Sequence, residues 1–122
     1  MSRHQSRTAE REQPVDAGER IARLRGILAL VERMGAGEAE TAPSDQALDE
    51  AARLTLAYAD APAVARRRFD ALAEDTTAYA AAGIAALMRA RGSEGARSAA
   101  RLLAREMRRS IAALAAILHA EA

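Results

Sequence analysis

The sequence predicts an all-α protein, a four-helix bundle built on a long antiparallel helical hairpin with two shorter N-terminal helices. Three observations carry this. Alanine supplies 34 of the 122 residues, and alanine has the highest intrinsic helix propensity with no side-chain entropy to lose. Apolar residues then recur at spacings of three and four, the pattern of an amphipathic helix. Finally, proline, glycine and the residues that cap helices gather at a few points that cut this pattern into four.

The first helix is expected from about Ala17 to Met34. Asp16 with Glu19 three residues later has the form of a capping box. Ile21, Leu24, Ile27, Leu28, Val31 and Met34 share one stripe, Arg25, Glu32 and Arg33 point elsewhere, and Gly35 is placed to end the helix in a left-handed cap. Gly35 to Pro43 has no periodicity and reads as a linker. Ser44 caps a second helix that places Leu48, Ala51, Ala52, Thr55, Tyr58 and Ala59 inward, sets Asp49 one turn from Arg53, and ends near Asp60.

Pro62 cannot donate to a preceding turn but fits the first turn of a new helix, which makes Asp60 the expected cap of the third helix, Pro62 to Arg91. Its seam is Ala65, Phe69, Leu72, Thr76, Tyr79, Gly83, Ala86 and Ala90. A break at Asp75 to Thr77 is the alternative, since these residues also cap helices. Gly92 and Ser93 end one helix and start the next within two or three residues, which makes the neighbours antiparallel. The fourth helix, Glu94 to Ala120, has its seam at Ala96, Ala100, Leu103, Met107, Ser110, Leu114 and Ile117, widened by Ile111 and Leu118. On this assignment Leu103→Asp unfolds or dissociates the protein and Arg105→Gln is nearly silent.

The length suits one domain, residues 16–122, behind a mobile polar tail of residues 1–15. Eighteen basic residues, all arginine, balance seventeen acidic ones, so no strong basic bias points to nucleic acid. The absence of lysine beside so much alanine resembles codon usage in a GC-rich, hence bacterial, genome. With no cysteine there is no disulfide or thiolate chemistry. The tail lacks the apolar stretch of a signal peptide, nowhere do eighteen apolar residues run uninterrupted, and the expected location is the cytoplasm.

No motif carries catalysis. His4 lies in the tail and His119 at the end of the last helix, and no Glu-x-x-His pair exists for a di-metal site. Ser44 and Ser93 are accounted for as caps, and Ser110 has no histidine in range. Asp45 with Asp49, and Asp70 with Glu74, read as solvated faces beside arginines, as do Arg66, Arg67 and Arg68. Neither an enzyme, a cofactor nor a metal is expected.

Two function classes remain. The first is a non-enzymatic helical protein-interaction module, either a homo-oligomeric bundle such as a homodimer or a small adaptor or export-chaperone-like protein. Its candidate seam is Gly83, Ala86 and Ala90, where the third helix turns small, with Thr76 and Ser110 as polar seam residues that could fix register. The second is a nucleic-acid-associated protein using Arg97, Arg101, Arg105 and Arg108, one stripe of the last helix, with Arg3, Arg7 and Arg11 of the tail.

Overall fold

The computed structural model describes residues 16–36, 45–90 and 93–120. Four α-helices account for nearly all of them: α1 (Asp16–Ala36), α2 (Asp45–Asp60), α3 (Ala63–Arg89) and α4 (Glu94–Ala120), with no strand among the described residues. The expected tail, the linker positions 37–43, the Ser44 cap and Gly92 lie outside the described residues, as does the side chain of Asp16.

Each boundary has a local cause. Ser93 caps α4 as expected: its Oγ accepts the amide of Ala96 at 3.0 Å and donates to the carbonyl of Ala90 at 3.0 Å, bridging the end of α3 to the start of α4. The start of α3 differs from the expectation. Asp60 is the last residue of α2, and the flanking position of α3 is Pro62 itself, with φ −59° and ψ 154° and no side-chain cap. Proline has no amide to leave unsatisfied there, and its carbonyl accepts the amide of Arg66 at 3.1 Å.

Helix α3 runs unbroken through Asp75 to Thr77. Thr76 and Thr77, the residues that favoured a break, instead bond backwards to the carbonyls of Leu72 and Ala73, both at 2.8 Å. Such i to i−4 bonds satisfy a threonine hydroxyl inside a helix. Gly35 is also inside its helix rather than beyond it. Its missing Cβ makes room for the stem of Arg101, whose Cγ would stand 2.9 Å from one.

The core is built from all four helices: Ile21, Leu24, Leu28 and Val31 of α1, Leu54 and Tyr58 of α2, Phe69 and Leu87 of α3, and Met107, Ile111, Leu114 and Leu118 of α4. On α4 the buried positions Ala100, Met107 and Leu114 are seven residues apart, as are Ala104, Ile111 and Leu118, a heptad period. On α3 the interval is eleven: Ala65, Thr76 and Leu87, with Phe69 and Ala80. A period of seven is 3.5 residues per turn and one of eleven is about 3.67, so a strict heptad seam drifts off the buried face of α3. That drift is why Leu87 is buried while the expected seam residues Ala86 and Ala90 are exposed. In α2 a similar shift buries Leu54 and leaves Leu48, Ala52 and Ala59 exposed.

Helix α1 is the hub. Arg20 reaches Asp70 of α3 at 2.8 Å, Arg25 reaches Glu50 of α2 at 2.8 Å, and Glu32 receives Arg108 of α4 at 2.7 Å. All are partly exposed, so each contributes about 0–1 kcal/mol and serves more to orient neighbours than to hold them. Asp70 also accepts the Tyr58 hydroxyl at 3.0 Å, tying three helices, where the sequence places it on a solvated face with Glu74. Above this knot Tyr58 meets Phe69 edge to face, centroids 5.5 Å apart.

Two glycines of α1 make opposite demands. At Gly18 a Cβ would collide with the side-chain hydroxyl of Thr55 and fall 2.6 Å from the backbone carbonyl oxygen of Ala51, so α2 packs its Thr55 side chain and backbone directly onto the bare Gly18 of α1. At Gly26 a Cβ would meet nothing within 4 Å. Gly26→Ala is therefore expected to stabilise by about 1 kcal/mol, the helix-propensity difference. Gly18→Ala should destabilise by about 1–3 kcal/mol through overpacking. Urea denaturation of the two variants checks the opposite signs.

Candidate interaction face

Between Thr77 and Met88 helix α3 carries no charged residue. Its outward positions in that stretch include Ala78, Ala81, Ala82, Ala85 and Ala86, all exposed. An ordinary solvent-facing helix surface is polar or charged, and this one is methyl groups over three turns. Toward its C-terminal end the strip opens into a groove of about 450 Å³ between α3 and α4, lined by Gly83, Ala86, Leu87 and Ala90 on one side and Ala96, Ala99 and Leu103 on the other. A Cβ on Gly83 would stand 2.7 Å from Leu103 Cδ2, so the floor of the groove is the point where the two helices approach through a glycine. Leu102, one turn beyond Ala99 on α4, is 58% exposed.

The candidate seam residues thus separate. Gly83 is half-buried against Leu103, and Ala86 and Ala90 are open to solvent in the groove. Thr76 is fully buried, its hydroxyl spent on Leu72. Ser110 lies 2.7 Å from the Tyr79 hydroxyl, which also reaches the carbonyl of Glu106 at 3.2 Å, so the polar register of the α3–α4 contact comes from Tyr79 and Ser110. Ala78, Ala82 and Ala85 are exposed beside Ala86 and are not among the seam residues expected from the sequence. The uncharged run from Thr77 to Met88 was the signal for them.

The arginine stripe of α4 is largely engaged within the chain. Arg101 donates to the carbonyl of Gly35 at 3.0 Å, at the end of α1 where unpaired carbonyls gather. Arg108 holds Glu32, and Arg97 is 3.4 Å from Glu94. Arg105 has no ion pair among the described residues and lines, with Arg101 and Arg108, an open cleft of about 490 Å³. Arg105→Gln is expected to change stability by less than about 0.5 kcal/mol, and Arg101→Gln to cost about 1 kcal/mol through the lost bond to Gly35. Thermal melts of the pair check the contrast.

Reactive groups are not brought together. His119 is exposed in the last turn of α4, beside Arg25, Glu50 and Arg53 in a smaller cleft, while His4 and Ser44 lie outside the described residues. The hydroxyl of Ser93 is used in its cap. Among the described residues no cluster of three or more His, Cys, Asp or Glu could hold a metal ion, and no helix is long and apolar enough to cross a membrane.

These features define an all-helical protein whose most distinctive surface is an uncharged, alanine-built helix face. Compared with known proteins, the chain matches no family model, no curated protein and no solved structure.

Proposed function

We propose that the chain is a non-enzymatic helical protein-interaction module, and that residues 16–122 form one four-helix bundle in which the shorter α1 and α2 pack on a long α3–α4 hairpin. Its working surface is the outer face of α3 with the adjoining groove, and its partner is another helix, either in a homo-oligomer or, as in a small adaptor or export chaperone, on a different protein. The observation that supports this is the three-turn uncharged stretch of α3, whose outer alanines Ala78, Ala81, Ala82, Ala85 and Ala86 remain exposed once the core is complete. Small side chains let a second helix approach to about 8 Å, where backbone and methyl contacts replace large apolar ones.

Light scattering over a concentration series tests the homo-oligomeric form. The expected mass exceeds 13.0 kDa, and Ala86→Arg, which sets a guanidinium in the groove, returns it to the monomer value without changing helix content. A particle of 13.0 kDa at every concentration up to about 1 mM, where even contacts worth only about 4 kcal/mol would register, would sink self-association.

A nucleic-acid role through Arg97, Arg101, Arg105 and Arg108 is the weaker proposal, because Arg101 and Arg108 are committed to α1. It requires duplex DNA binding that falls steeply with salt.

A further inference from the structure

Resting on the reading of α3 as an interaction face, we propose what covers it: a second copy of this chain, packed α3 against α3 in antiparallel register about a two-fold axis at Ala82.

Ala78, Ala82, Ala86 and Ala90 are four residues apart and all exposed. Such a row is one of the ridges along which helices interdigitate, and a ridge of alanines lets two backbones come close. The row alone would accept many helices. The charges at its two ends are more selective.

Asp75 stands seven residues before Ala82 and Arg89 seven after. Seven residues is within about 20° of two full turns, so both side chains lie on the same side of α3 as Ala82. Both are exposed, and neither has an ion pair among the described residues. In an antiparallel pair centred on Ala82, a residue seven positions before the axis meets one seven positions after it. Asp75 then faces Arg89 of the partner subunit, and Arg89 faces Asp75 of the partner subunit, so the pair forms twice around an all-alanine centre. In a parallel pair Asp75 would meet its own copy and Arg89 likewise, which charge repulsion disfavours. The uncharged middle imposes no repulsion, and a net charge of +1 leaves little between whole molecules. The contact uses the same patch on both copies, so it closes at two subunits.

Charge reversal and a crosslink test the register. The wild type is expected to sediment at about twice 13.0 kDa. Asp75→Arg and Arg89→Asp, each of which sets like charges face to face twice, should each weaken association by about tenfold or more. The double variant, with the charges exchanged, should regain wild-type association. Because the chain has no cysteine, Ala82→Cys should oxidise to a covalent dimer at the axis, while Ala52→Cys on the exposed side of α2 should not. A wild-type dimer whose double variant is as weak as the single ones, or in which Ala82→Cys fails to crosslink, overturns this register but leaves self-association standing. A wild type of 13.0 kDa at all concentrations overturns both.

Discussion

Met107→Asp is expected to abolish folding at room temperature. Met107 has no solvent exposure and sits mid-way along α4, flanked one turn each way by buried Ala104 and Ile111. An ionised carboxylate there loses its hydration without gaining a partner, a cost of several kcal/mol even when the group protonates to escape it. A chain of this length has about 5–15 kcal/mol of stability in total, and the lost methionine packing adds to the penalty. Circular dichroism should show the helix signal largely lost, and a cooperative melt near that of the wild type would mean that α4 does not face the core as described. Leu103→Asp, the substitution that the sequence singles out, should be milder. Leu103 is half-buried at the groove floor against Gly83, where a carboxylate can turn toward water, so its main effect should fall on association.

Phe69→Ala should cost about 3–5 kcal/mol, the usual range for removing a fully buried phenyl ring. Only one phenylalanine is present and it is completely enclosed. Around it stand Ala65 and Ala73, one turn to either side on α3, which have little volume with which to refill the space. The ring also supports Tyr58, whose hydroxyl bonds Asp70. Its loss should therefore loosen the link from α2 to α3 as well as open a cavity. Urea denaturation gives the magnitude, and Phe69→Leu, which keeps most of the volume, should recover more than half of it. A cost below about 1 kcal/mol would place the ring outside the core.

Both substitutions show where sequence reasoning reaches and where it stops. The face of α1 is legible because Ile21, Leu24, Leu28 and Val31 are large, apolar and correctly spaced, with charged residues between them. In α2 and α3 alanine occupies both inward and outward positions, so composition does not separate Ala80, which is buried, from Ala86, which is exposed. A heptad drawn from Phe69 runs through Thr76 and Gly83 to Ala90. That heptad leaves the buried face after Thr76, where burial passes instead to Ala80 and Leu87, eleven residues on from Phe69 and Thr76. The same limit applies to the candidate face: the absence of charge from Thr77 to Met88 is visible in the chain, but not which of its alanines look outward.

What the sequence by itself determined is the set of four helices and most of their ends. Helix formation depends on propensity, on hydrogen bonds four residues apart, and on caps such as Ser93, all of which are local. The tertiary structure alone decided the eleven-residue burial period of α3, the joining of Asp70 to Arg20 and Tyr58, the packing of Thr55 on Gly18, and the commitment of Arg101 and Arg108 to α1. These depend on where a helix distant in the chain comes to lie, and a pattern of period 3.5 or 3.67 becomes distinguishable only against that neighbour. The uncharged face of α3 belongs to both: its composition is written in the chain, and its exposure follows from the way α1 and α4 pack on the other side.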